Sequence, residues 1–207
     1  PSAANSHFNM LEINNTSSDG VVFATKARVT GELMSTGGII VNSKNISLVG
    51  GATLSDVWNY DLGLDESWTL QGDCEISGSL FVNGGTLDMA GRQMTIGGDF
   101  IQIGGTVAVS SGILNIGGSY QIQSESGGFC YGILKMTSGA DRVIIGRNFI
   151  TNSVYDHSSY LTAGVLEIKG DFTQKSDYSG TSARNNFKAG GSHSVVLSGV
   201  SIQNISF

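Results

Sequence analysis

A five-residue unit of apolar, any, glycine-like, small polar and aromatic positions recurs along the chain, and it restricts the possible folds more than any other feature. Its copies are Leu70-Gln71-Gly72-Asp73-Cys74, Ile96-Gly97-Gly98-Asp99-Phe100, Ile116-Gly117-Gly118-Ser119-Tyr120, Ile145-Gly146-Arg147-Asn148-Phe149 and Ile168-Lys169-Gly170-Asp171-Phe172. Partial copies at Val29-Thr30-Gly31 and Leu48-Val49-Gly50 extend the series backward, and Leu197-Ser198-Gly199 extends it forward. The equivalent third positions, from 31 to 199, are 19 to 29 residues apart. A repeat of this length builds a solenoid, in which each unit buries its apolar face only by stacking on the next.

The shortest well-marked unit, from Gly98 to Gly118, shows what one turn contains. Phe100 to Ile103, Thr106 to Val109 and Ile113 to Ile116 each alternate with period two and are separated by Gly-Gly or Ser-Ser-Gly. Each piece therefore reads as a short strand with one face buried. No stretch carries a capped 3.6-residue stripe, so little helix is expected. Three strands and three tight corners in about twenty residues make one turn of a parallel β-helix. Glycine, which supplies 30 of 207 residues, is expected at the corners where positive φ is needed. Proline, present once, is excluded because strands must donate to neighbours on both sides.

Stacking places like residues in columns. Cys74, Phe100, Tyr120, Phe149 and Phe172 are expected in one inward column, and Leu70, Ile96, Ile116, Ile145 and Ile168 in the next. Cys74 is then a buried, inert thiol. The corner column Asp73, Asp99, Ser119, Asn148 and Asp171 has two readings. Stacked carboxylates on neighbouring rungs form acid/base pairs in β-helix hydrolases and lyases. Asx and Ser side chains that follow glycine also bond to turn backbone, and like charges one strand apart repel, which favours the structural reading.

Composition removes several function classes. Eleven basic against seventeen acidic side chains give a net charge of -6, so no general field attracts phosphate backbones and nucleic acid is not an expected partner. Apolar stretches such as Val143-Ile144-Ile145 fall far short of the roughly 18 residues of a bilayer span, so no membrane insertion is expected. Cys74 and Cys130 have neither metal-type spacing nor the numbers for a disulfide framework. Neither a P-loop nor a nucleophile elbow is present. The start at Pro1 points to a removed signal segment or to a piece of a longer protein, and the lysine-poor, Ser/Thr/Asn/Gly-rich composition suits an exported one.

These repeats resemble the glycine-rich right-handed β-helix repeats of bacterial exported and cell-surface, adhesin-like proteins. The closing segment His193-Ser194-Val195-Val196-Leu197-Ser198-Gly199 with Gln203-Asn204-Ile205-Ser206-Phe207 is similar to the end of a module in such proteins. The opening Phe8-Asn9-Met10-Leu11-Glu12-Ile13-Asn14-Asn15 is similar to the segment that follows it in the next module. The resemblance implies an all-β chain: a single-stranded right-handed parallel β-helix (β-solenoid) of about eight turns. Residues 1–207 would form one module of a tandem array, with neighbouring modules as partners and an extracellular or cell-surface location.

Turns longer than twenty residues must extrude the surplus as loops. Ser124 to Gly132, Asn152 to Gly164 and Gln174 to Gly191 all follow the aromatic strand of successive turns, so all three are expected on one flank, where solenoids commonly bind. They carry Tyr131, Tyr155, Asp156, His157, Tyr160, Tyr178 and Arg184, with Phe129, Asp177, Asn185 and Phe187 beside them. Rings that stack on pyranoses next to polar groups that bind hydroxyls suit carbohydrate or a cell-surface glycan. The alternative is that the rings fold back over the flank. A second irregular stretch, Ser55 to Trp68, holds the chain's acidic cluster; Asp56, Asp61 and Asp65 are the calcium candidates, although no EF-hand pattern is present. Trp58 and Trp68 are expected to cap or flank the coil. No other cofactor and no catalytic constellation emerge. The leading expectation is a non-catalytic spacer or adhesion module of a bacterial extracellular protein, and the second is carbohydrate binding through its loop face. The rival is a polysaccharide lyase or glycoside hydrolase using Asp156, His157, Asp177 or Arg184.

Overall fold

Between Leu62 and Ile116 the chain follows the same three-sided path three times, which a computed structural model describing residues 6–207 makes explicit. Pro1 lies outside the described residues. The first of these turns comprises Leu62–Leu64, Trp68–Thr69 and Cys74–Ile76, the second Leu80–Val82, Thr86–Asp88 and Gln93–Ile96, and the third Phe100–Gln102, Thr106–Ala108 and Ile113–Ile116. Stacked turns create three parallel faces: an 11-stranded first sheet, a 4-stranded second and a 6-stranded third. The chain is a parallel β-solenoid of about eight turns. Among the described residues the helical content is two 3-10 turns, Ser43–Asn45 and Thr181–Asn185, and no helix is long and apolar enough to cross a membrane.

The register makes the core a set of columns. On the first face Leu62, Leu80, Phe100, Tyr120, Phe149 and Phe172 pair in succession. Ring centroids in that column are 4.7 Å apart for Phe100 and Tyr120 and 5.5 Å for Tyr120 and Phe149, close to one strand spacing. On the third face Ile76, Ile96, Ile116, Ile145, Ile168 and Leu197 pair likewise. The second face adds Trp68, Leu87, Val107 and Leu134. Leu197, on the last rung, is exposed, whereas each of the other large side chains in these columns is enclosed and contributes about 1.5–3 kcal/mol by leaving water.

Two register expectations are corrected. Cys74 pairs with Met94 on the third face, and Leu80 holds the expected place in the aromatic column. The true corner unit of that turn is Ile76-Ser77-Gly78-Ser79-Leu80, preceded by Trp58-Asn59-Tyr60-Asp61-Leu62. Leu70 to Cys74 mimics the unit because it turns the preceding corner, where small polar residues are needed for the same reason. Val29 and Leu48 pair with each other on the first face and so do not belong to the corner series either.

Trp58 and Trp68 do not cap the coil. They lie inside it at 2% and 1% exposure, which is tolerable because Trp58 Nε1 donates to the Asp61 carbonyl at 3.1 Å and Trp68 Nε1 to the Ala52 carbonyl at 2.8 Å. The corner glycines also differ from expectation. Left-handed φ occurs at Gly85 and Gly105, but Gly97 and Gly117 do not adopt it. A Cβ on Gly117 would instead lie 2.5 Å from the Gly97 carbonyl oxygen, so the stacked rungs themselves exclude a side chain.

The corner column is a hydrogen-bond ladder between rungs. Asp61 Oδ1 accepts from Ser79 N–H at 2.7 Å, Ser79 Oγ from Asp99 N–H at 3.1 Å, and Asp99 Oδ1 from Ser119 N–H at 2.7 Å. Ser119 Oγ, Asn148 Oδ1 and Asp171 Oδ1 continue it to the N–H groups of Asn148, Asp171 and Asn204. No two carboxylates occupy adjacent rungs, so the column supplies no acid/base pair and no like-charge repulsion. Asp73 stands apart, accepting from Gln93 N–H at 2.9 Å.

Candidate functional site: the loop flank

The three long insertions leave the first face after Ile122, Thr151 and Gln174. In earlier turns this corner is closed by Asn83-Gly84-Gly85 and Ile103-Gly104-Gly105. The insertions therefore share one flank, where they replace the second-face strand in the last two turns.

Backbone and amide bonds fasten them together. Cys130 N–H donates to the Asn152 carbonyl and Val154 N–H to the Cys130 carbonyl, each at 3.0 Å, while His157 N–H reaches the Asn185 carbonyl at 3.0 Å. Asn152 Nδ2 donates to Asp177 Oδ2 at 2.7 Å, and Asn185 Nδ2 to Asp156 Oδ2 at 2.8 Å. Lys175 Nζ crosses two loops to Gln123 Oε1 at 3.2 Å and the Gly127 carbonyl at 3.3 Å. Sequence reading passed over Gln123, Asn152 and Lys175, yet a signal existed: each directly follows a first-face strand, so they occupy one column.

The aromatic residues divide between the two expected readings. Phe187 folds back, with its ring 4.8 Å from Phe172 and 5.6 Å from Phe149. Tyr178, Phe129, Tyr131 and Tyr155 stay exposed and form a row with successive centroid distances of 5.3, 6.4 and 6.3 Å. Tyr131 is the most open of the four, at 58%. Tyr160 is half-buried, 6.1 Å from the His157 ring.

The polar candidates are placed unequally. Arg184 is exposed at the end of the Thr181–Asn185 turn. Asp156 borders the row; its carboxyl is held below the usual range by hydrogen bonds from Ser158, with a further contribution from Asn185. His157 is turned inward at 1% exposure. Its Nε2 accepts from Leu134 N–H at 3.1 Å, so the other nitrogen carries the proton and donates to the Tyr155 carbonyl at 3.1 Å. Burial pushes its pKa down to about 4. His157 thus anchors the loop from within, while Asp156 and Asp177 each hold an amide. Asp156, His157 and Asp177 are each engaged in separate contacts that hold the loops, and Arg184 is exposed, so the four residues of the enzymatic reading do not converge into a nucleophile and base pair.

The acidic stretch serves the fold. Asp65 is paired with Lys26 and accepts from Asn83, Glu66 is paired with Arg28, and Asp61 starts the corner ladder. Asp56, Asp61 and Asp65 do not converge, and among the described residues no group of three His, Cys, Asp or Glu side chains could hold a metal ion. Both cysteines are free thiols. Comparison with family models, curated proteins and solved structures gives no match to this chain.

Proposed function

We propose that this chain is a non-catalytic module of an exported bacterial surface protein, a rigid spacer or adhesion element that binds carbohydrate through its loop flank. The observation that carries the reading is the exposed row Tyr178, Phe129, Tyr131 and Tyr155, displayed on loops tied to one another and to the rungs. Rings about one sugar apart offer apolar faces and edges to successive residues of a glycan, while Asp156 and Arg184 supply an acceptor and donors for its hydroxyls. The loops are fixed beforehand, which lowers the ordering cost of binding. The likeness of the repeats to those of bacterial exported proteins supports the location.

Affinity electrophoresis and a glycan array carrying plant, mucin and cell-wall polysaccharides test this reading. Retention by at least one glycan class is expected, with loss in Tyr131→Ala and Tyr155→Ala and no change in thermal stability. A protein retained by none of them would overturn the reading.

A further inference from the structure

A cleft of about 460 Å³ opens beside the start of the corner ladder, on the outer side of the first face. Three successive turns line it: Asn42, Ser43 and Lys44 come from the first, Asn59 and Asp61 from the second, and Phe81 from the third. Phe81 faces outward because it alternates with the buried Leu80 and Val82. Gly63, with no Cβ to push it away, lets the Lys44 carbonyl lie directly on the sheet, and the Lys44 side chain crosses the Phe81 ring with Nζ 5.3 Å from its centroid. Its one carboxylate neighbour is Glu125 at 3.9 Å; both side chains are exposed, so this pair is weak. Ser43 is 8% exposed, yet its hydroxyl has no hydrogen-bond partner among the described residues and is not sealed from solvent, so a partner can reach it only through the cleft it lines. A hydroxyl left this way costs free energy that a ligand recovers. Asn42 sits in the left-handed region, with φ 58° and ψ 39°, and its side chain makes no capping bond. Asn59 Oδ1 accepts from the Ser77 hydroxyl at 3.0 Å, which leaves Nδ2 to donate, and Asp61 uses Oδ1 in the ladder, which leaves Oδ2 to accept.

We propose that this cleft binds one acidic sugar residue, a pyranose that carries a carboxylate. Its acid group meets Lys44, and its hydroxyls meet Ser43, Asn42, Asn59 and Asp61. The balance of charge selects the ligand. One ammonium takes one anionic group, while the Asp61 carboxylate in the same cleft accepts a hydroxyl and repels a second negative charge, which disfavours a phosphate dianion. The four donors and one acceptor set around a single aromatic ring suit a polyhydroxylated ring better than an apolar ligand, whose burial would strand them. The cleft shares no residue with the aromatic row, so it stands whether or not the row holds a glycan.

Amide chemical-shift titration of the 207-residue chain tests the proposal, with glucuronic acid, galacturonic acid, their uncharged methyl esters and acetate as probes. Saturable shifts at Ser43, Lys44 and Phe81 are expected with at least one of the two acids, and their position separates this site from the row at Tyr131 and Tyr155. The methyl ester and acetate are each expected to bind about tenfold more weakly than the acid, because one lacks the charge and the other the ring. Lys44→Met, which keeps an apolar stem over Phe81, is expected to weaken binding about tenfold and Ser43→Ala about threefold, with circular dichroism unchanged in both. The proposal is overturned by an absence of cleft shifts with either acid, by shifts confined to the aromatic row, by an ester or acetate that binds as well as the acid, or by undiminished binding in Lys44→Met.

Discussion

His157 couples the stability of the loop flank to pH. Its imidazole is neutral inside the folded protein, with a pKa of about 4 against 6.5 for an exposed histidine. Between those values the unfolded chain binds a proton that the folded chain refuses, so stability rises with pH and is lost as pH falls from 6.5 toward 4. The two values give a loss of about 2 kcal/mol between pH 8 and pH 5, and about 3 kcal/mol by pH 4. Urea unfolding of the wild type and of His157→Gln at both pH values measures it. The variant starts less stable, because Leu134 N–H and the Tyr155 carbonyl lose their ring partners, but it lacks this titration. The gap between the two proteins is expected to narrow by about 2 kcal/mol from pH 8 to pH 5. A gap that stays constant, or a His157 resonance titrating near 6.5 in the folded protein, would refute the reasoning.

Other positions give equally direct tests. Tyr120 donates to Gln102 Oε1 at 2.6 Å in the core, so Tyr120→Phe strands a buried acceptor and is expected to cost about 1–3 kcal/mol in urea unfolding, with a smaller loss when Gln102→Leu is already present. In the corner ladder, Asp99→Ala removes the acceptor for Ser119 N–H and is expected to cost about 1–3 kcal/mol, most of which Asp99→Asn restores; equal losses in both would mean that charge, not the shared oxygen, matters. Gly117→Ala places a Cβ against the Gly97 carbonyl and is expected to cost about 1–3 kcal/mol, whereas Gly72→Ala, with open space around it, is expected to be neutral in thermal melts. Burial pushes the Cys74 thiol to about 12, with Glu75 adding to it, and the Cys130 thiol to about 11, so neither is expected to react with a disulfide reagent at pH 8 until urea unfolds the chain.

What was legible in the sequence follows from what the rungs require. Ile96, Ile116, Ile145 and Ile168 fix the stacking because a parallel ladder repeats the same environment at each turn, and the side of the coil that bears the insertions follows from their place after the aromatic strand. The Cys74 register was not legible, since two corners of the same turn carry similar small polar residues and Leu80 fills an aromatic place without being aromatic. Trp58 and Trp68 misled because their indole N–H groups find acceptors inside the coil, the Asp61 carbonyl three residues on for Trp58 and, for Trp68, the Ala52 carbonyl, which becomes a neighbour only when the turn closes. On the flank, Tyr131, Tyr155 and Phe187 look alike in sequence. Only Phe187 finds an apolar surface, left open where the last turns lose their second-face strand, while His157 goes inward because Leu134 N–H has no strand partner there.

The ladder running through Asp61, Ser79, Asp99, Ser119, Asn148 and Asp171 joins consecutive rungs along the same line as the sheet hydrogen bonds. Tension applied to the two ends of the coil therefore loads every junction in series, and the molecule is only as strong under pulling as its least-bonded one. Where the second face has thinned to the bridges Cys130 with Ser153 and Met136 with Leu161, the loop fastenings share that load, so the segments that display the aromatic row also bear mechanical stress.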